Sequence, residues 1–253
     1  MKWYSTKLLT LGLSICSFYL STAEGSAHRT IFRSATQRVI DIYKRNHSFT
    51  KESIRTWDLL LVEEKDTETP IHVGMAFRNG TNQLMVLEAV PILGVKSTDF
   101  KTFKERCRYN NIYALRPQEN FLKILEKSDQ EGFWRYFQKK LVNLPYNYSM
   151  QESYNVGGIK YYYCSQLLRD MYNYILQMED ELIDIMPLKE MNFEEAFAKE
   201  IVTNNGFKIP YGQPGVSPAD FSKYNFCYLG SLSLQYTRDD DDDETAVEIE
   251  WAS

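Results

Sequence analysis

The chain has 253 residues, 43% hydrophobic and 25% charged, which suits one globular domain of ordinary composition, or at most two small ones, and predicts a single core. Its net charge of −5 is unevenly spread: 8 of the 34 acidic residues crowd into 239–253, and the remainder is close to neutral, with no basic stripe of the kind that binds nucleic acid. Four cysteines with no CxxC or CxxH pair argue against both a disulfide scaffold and a zinc site.

The N-terminus reads as a cleaved secretory signal over 1–27. Lys2 and Lys7 precede an apolar run from Leu8 to Leu20, and small residues follow to Ala23 or Ala27. That run is too short to span a bilayer, so a soluble, secreted or periplasmic chain with no stable membrane span is expected, beginning near Glu24 or His28. Loss of Cys16 with the signal leaves Cys107, Cys164 and Cys227, an odd number that invites one free thiol and one disulfide, with Cys107–Cys227 as one pairing. Asn-X-Ser/Thr sequons begin at Asn46, Asn79 and Asn147, about as many as chance supplies.

Next, 31–46 has a helical pattern with Ile31, Phe32, Ala35, Val39, Ile42 and Tyr43 on one side. Strand-like runs follow at 58–62, 71–77, 84–90 and 112–115, separated by turn signals such as Arg78–Asn82, and predict an antiparallel sheet. Helical patterns then occupy 98–107, 118–128, 131–142, 164–178 and 193–202, before the alternating run CYLGSLSLQY, which predicts an edge strand. Strands grouped ahead of helices indicate an α+β domain over 28–238. The acidic 239–253 reads as a solvated, disordered tail.

Three residues break their local patterns. In IHVGMAF, Ile71, Val73, Met75 and Phe77 share one face, which leaves His72 on the other beside the small Gly74 and Ala76, with room for another element to approach. Glu88 is an acid inside the apolar run LMVLEAV, so it faces water or meets a cation or donor. A loop of odd length, 79–81 or 78–82, sets His72 directly opposite Glu88, whereas a two-residue Asn79-Gly80 turn puts them on opposite faces. The odd loop is favoured because it keeps an unpaired carboxylate off the apolar face. Cys164, in YYYCSQLLRDMY, opens a helix whose apolar positions are Leu167, Leu168, Met171, Tyr172 and Ile175. The positive end of the helix dipole and unpaired N–H groups favour a thiolate there. Nucleophile, base and orienter are then Cys164, His72 and Glu88.

The order of these pieces resembles the YiiX/YebB-like branch of the NlpC/P60 superfamily, the circularly permuted papain-like cysteine hydrolases. The resemblance rests on TWDLLLVEE, IHVGMAF, LMVLEAV, GVKSTDFKTF, IYALRP, NLPYNYSM, YYYCSQLLRDMY and GVSPADF, and covers roughly Arg55 to Phe221. It implies a permuted papain-like fold, an antiparallel sheet packed on the cysteine helix, with His72, Glu88 and Cys164 at the catalytic positions and Tyr146 lining the cleft. Tyr163, beside the cysteine, joins Tyr146 as a substrate-binding candidate. Three departures stand out: Trp57 where the family has glycine, Asn147 where it often has aspartate, and Ile71 where serine commonly precedes the histidine. The resemblance implies a thiol peptidase or amidase acting on peptide-type amides, with peptidoglycan stem peptides among them, and no metal or organic cofactor. An acyltransferase or lipid hydrolase, and a catalytically silent module that holds a peptide or lipid in a tyrosine-rich cleft, are the alternatives.

Overall fold

Alternating apolar residues build a seven-stranded sheet at the centre of the fold. The computed structural model describes residues 48–64, 69–152, 154–178, 186–191, 196–224 and 226–232. The signal segment, the helix over 31–46, the Asn46 sequon, His28, His47 and the acidic tail lie outside the described residues.

The sheet comprises β1 (Ser48–Phe49), β2 (Leu59–Glu63), β3 (Pro70–Arg78), β4 (Leu84–Val90), β5 (Gly94–Asp99), β6 (Asn111–Pro117) and β11 (Phe226–Leu232), in the order β1-β11-β6-β2-β3-β4-β5. All pairings are antiparallel except that of β1 with β11. Two short ribbons, β7 (Asn155–Val156) with β8 (Ile159–Lys160) and β9 (Lys189–Glu190) with β10 (Pro214–Gly215), lie outside this sheet. The helices are α1 (Phe100–Arg106), α2 (Glu119–Lys127), α3 (Gln130–Lys140), α4 (Cys164–Met178) and α5 (Ala196–Asn204). This is the mixed α and β content expected.

Strand alternation divides the core between the two faces. Leu59, Leu61, Val73, Met75, Leu87 and Ala89 pack with Leu167, Leu168, Met171 and Tyr172 of α4. Leu60, Val62, Ala76 and Val86 pack with Phe100 and Phe103 of α1. Helices therefore cover both faces, and each buries the stripe that its 3.6-residue period supplies.

Several local expectations change. β5 was not expected from the sequence, because as the end strand it carries few apolar residues; Val95 is its one fully buried hydrophobic residue. The helix starts at Phe100, capped by Asp99, whose carboxylate accepts the Thr102 N–H at 2.9 Å. The outer side of β5 is covered by the segment after α3, through Val95 N–H to Leu144 O at 2.8 Å and Asn143 N–H to Val95 O at 2.9 Å. β11 is paired on both sides and is not an edge strand. Cys107 and Cys227 do not form the disulfide that the cysteine count allowed: Cys107 is buried at the end of α1, whereas Cys227 is half-buried on β11.

The β3–β4 loop is of odd length, but its register differs by two residues from the one expected. Arg78 pairs with Leu84 and Met75 with Leu87, leaving a five-residue loop, 79–83. The Asn79 side chain explains the choice. Its Oδ1 accepts from Thr81 N–H, Thr81 Oγ and Gln83 N–H, and Asn82 takes the left-handed conformation (φ 62°) that asparagine tolerates. A two-residue shift preserves the face and changes the partner. One further step of the register puts Gly74, not His72, across from Glu88, so His72 reaches Glu88 diagonally.

Trp57 has φ 78°, a conformation that costs a bulky residue and not a glycine. Here the strain is offset by packing: Trp57 is 1% exposed, stacks on Trp134 and packs against Phe133, and its carbonyl accepts the Tyr172 hydroxyl at 2.9 Å. Asp58, fully buried, receives a two-pronged contact from Arg116 at 2.8 and 2.7 Å, which fixes the start of β2.

Candidate active site

Cys164 is the first residue of α4, and the local sequence explains why the helix begins there. Leu167 N–H donates to Tyr163 O at 3.0 Å, the first helical bond, which makes Tyr163 the N-cap. Gln166, three residues on, reaches back so that its Oε1 accepts the Tyr163 N–H at 3.3 Å, the second half of a capping box. Ser165 Oγ donates to Val216 O at 2.7 Å and ties this first turn to the neighbouring wall.

β3 presents His72 to this terminus. Its pairing with β4 begins only at Met75, and the backbone N–H groups of Val73 and of Ser165 in α4 favour the ionised form of the Cys164 sulfur. The His72 ring interacts electrostatically with Cys164, while its Nε2 lies 2.8 Å from Glu88 Oε2. Gly74 makes the diagonal reach possible: a Cβ there would stand 2.5 Å from Val86 Cγ1 and 3.6 Å from Glu88 Cβ. The other Glu88 oxygen, Oε1, accepts a bond from Arg106 of α1. Glu88 has no exposure, so each oxygen of a carboxylate withdrawn from water has its own cationic partner. Cys164, His72, Glu88 and Arg106 thus form one connected line from α4 through the sheet to α1.

The electrostatics follow from that line. Burial pushes the His72 pKa down, but hydrogen bonds to Cys164 and Glu88 and their charges outweigh it and raise the ring to about 9. Burial would raise the Cys164 thiol, yet the bond to His72, its charge and the two backbone N–H groups hold it below the ordinary thiol value. Glu88 is likewise lowered against its burial by His72, Arg106 and the Thr98 hydroxyl. A thiolate beside an imidazolium is the state these shifts favour near neutrality.

A cleft opens beside Cys164, lined by Ile71, Tyr146, Met150, Tyr163, Met191 and Val216 among others, none of them charged. Tyr146 arrives on the segment leaving the β5 edge. Tyr162 N–H donates to Pro145 O at 3.1 Å and Asn147 N–H to Tyr162 O at 3.0 Å, a bridge two residues before the cysteine. Asn147 completes the support: its Nδ2 donates to Gln151 O at 2.8 Å and Gln166 Oε1 at 3.2 Å, and its Oδ1 accepts from Ser149 Oγ at 2.7 Å. An aspartate has no N–H to replace those donations. Fully buried, Asn147 cannot present its sequon for glycosylation. Tyr163 donates to Glu152 Oε2 at 3.2 Å and accepts the Val216 N–H at 3.3 Å, so its hydroxyl is occupied and its ring forms the wall.

A model of the permuted papain-like amidase enzymes of the YaeF/YiiX, C92 family matches residues 59–228, the span holding all four residues of the line. The chain belongs to this family. Among solved structures it resembles YiiX from Escherichia coli O157:H7, at 18% identity and a TM-score of 0.50, over 69% of this chain and 96% of that one. None of the curated proteins matches. The YiiX structure is described as that of a metalloprotein; among the described residues here, no group of three or more His, Cys, Asp or Glu side chains is placed to hold a metal ion.

Of the sequence candidates, His72, Glu88 and Cys164 come together, and Tyr146 and Tyr163 flank them in the cleft. Sequence alone does not single out Arg106. The available signal was Glu88 itself, an acid whose surroundings demanded a cation, with nothing local to say which.

Proposed function

We propose that this amidase-family member is an exported cysteine hydrolase that cleaves an amide or ester through Cys164, His72 and Glu88. The observation that carries the reading is the 2.8 Å contact between His72 Nε2 and the buried Glu88 carboxylate, next to Cys164 at the start of α4 and electrostatically coupled to it. The thiolate attacks the carbonyl carbon, and the electron pair displaced onto oxygen meets N–H groups at the α4 terminus. His72 delivers its proton to the leaving amine or alkoxide as the tetrahedral adduct collapses to a thioester. Water then attacks the thioester as His72 takes its proton, and the sulfur departs as a thiolate beside the imidazolium, which restores the starting pair and releases the acid. Glu88 holds the ring throughout.

Tyr146 and Tyr163 flank the scissile bond as walls of the cleft. The uncharged lining favours an apolar acyl or peptide group beside that bond over the charged side chains of a stem peptide. Export rests on Lys2, Lys7 and the apolar run Leu8 to Leu20.

The test is hydrolysis of a panel of peptide amides and acyl esters by wild type, Cys164→Ala and His72→Ala. Turnover is expected to fall by at least about 10³-fold in both variants. Comparable rates in all three, or binding without turnover in the wild type, would oppose the reading and favour a silent binding module.

A further inference from the structure

We propose that Arg106 is a positioning residue of this site, fixing the Glu88 carboxylate in its ionised form and in the orientation that holds the His72 ring. The inference rests on the hydrolase reading above and extends it to a residue on the far side of the sheet.

Glu88 faces a specific difficulty. A carboxylate with no exposure is costly unless both oxygens are bonded, and one imidazole can satisfy only one of them. His72 takes Oε2 and Arg106 takes Oε1. Arg106 is itself well placed. Asp99 caps α1, accepting from the Thr102 N–H at 2.9 Å and its hydroxyl at 2.6 Å, which sets the rotation of the helix. Two turns on, the Arg106 guanidinium lies 5.8 Å from the Phe103 ring centroid, and that ring is 6.3 Å from His72. Phe103, fully buried, spaces the arginine from the imidazole so that both address one carboxylate.

Arg106 does not line the cleft, so it acts through Glu88. The other groups near that carboxylate leave it this role. Lys96, opposite Glu88 on β5, donates its ammonium to Asn143 Oδ1 at 2.8 Å. Thr98 contributes a neutral hydroxyl, and burial pushes the Cys107 thiol up to about 12, so it too is neutral. Cys164 reaches Glu88 only through His72.

Removing the arginine charge has a definite sign. Glu88 becomes easier to protonate and Cys164 loses a distant positive charge, so thiolate formation moves to higher pH. His72 loses a like-charged neighbour, so while Glu88 stays ionised its deprotonation also moves up. Both limbs shift in the same direction, which loss of packing alone does not produce.

The experiment is the pH dependence of iodoacetamide alkylation of Cys164, read by mass spectrometry of its peptide, alongside hydrolysis, in wild type, Arg106→Gln and Arg106→Lys. Arg106→Gln is expected to move the acid limb of alkylation up by about one pH unit, a roughly tenfold loss at a fixed pH on that limb. Arg106→Lys is expected to return the limb to within about 0.3 unit while keeping part of the rate loss, since a point charge replaces a planar fork. Arg106→Met, which keeps an apolar stem over Phe103, serves if Arg106→Gln does not fold. Wild-type limbs in the uncharged variant would overturn the proposal alone. Wild-type Cys164 that resists alkylation until the ordinary thiol range would overturn it together with the hydrolase reading.

Discussion

His72 and Cys164 each favour the charged form of the other, and this coupling determines how the site responds to pH. The imidazole pKa is raised from an ordinary value near 6.5 to about 9, so the stabilisation it contributes is complete below that ordinary value and is lost as pH rises through about 9. Cys164 and Glu88 are depressed, so theirs is lost as pH falls through their lowered values. The kcat/KM profile is therefore expected to be a bell whose alkaline limb lies near 9 and whose acid limb lies below the ordinary thiol range. Glu88→Gln should pull the alkaline limb downward and reduce the rate by about 10²-fold or more, because a neutral amide stabilises the imidazolium less. Steady-state rates against pH check this, and an alkaline limb that stays in place in Glu88→Gln would remove Glu88 from the line. These three residues are legible in the sequence because each violates its surroundings: a histidine and an acid inside apolar strands, and a cysteine at a helix start. Arg106, in KERCRYN, violates nothing, since a basic residue in the last turn of a short helix is what the dipole favours.

At the level of elements, the hairpin shows what parity can and cannot decide. Keeping the carboxylate on the His72 face depends only on an odd loop length, and this is legible in the apolar alternation of the two strands. The exact register is set by the Asn79 side chain gathering three donors, an energetic choice among loops that alternation does not encode. The five-residue loop makes Gly74 the residue on which the diagonal His72–Glu88 contact depends. Gly74→Ala would drive a Cβ to 2.5 Å from Val86 Cγ1 and part the strands beside Glu88. It is expected to cost about 1–3 kcal/mol in denaturant unfolding and, through misplacement near 1 Å, about 10²-fold in kcat. Adding Val86→Ala should recover stability by clearing the methyl. A fully active Gly74→Ala would show that the two side chains do not need this close approach. β5 is not legible in the sequence for the opposite reason: an end strand whose outer side is closed by backbone bonds from 143–144 needs little apolar pattern to be held.

Across the whole molecule, the chain order of the His72 strand, the Glu88 strand and the Cys164 helix becomes a spatial order that runs through the sheet. α1 and α4 cover opposite faces, and the Arg106–Glu88–His72–Cys164 line joins them where β3 and β4 are unpaired beyond Met75. The expectation of a permuted papain-like α+β fold agrees with the family match over 59–228 and the likeness to YiiX. The cysteine count left a Cys107–Cys227 disulfide open, and the structure does not form it, because counting thiols carries no geometry. What this architecture is proposed to achieve is a covalent intermediate on one sulfur. The most direct measurement is intact and peptide mass spectrometry of the protein quenched in acid within seconds of mixing with an activated ester of an apolar acyl group. A hydroxylamine-labile acyl adduct on the Cys164 peptide, lost in Cys164→Ala and accumulating slowly in His72→Ala, is the predicted result. Undiminished turnover with no adduct on Cys164, or turnover that persists in Cys164→Ala, would contradict it.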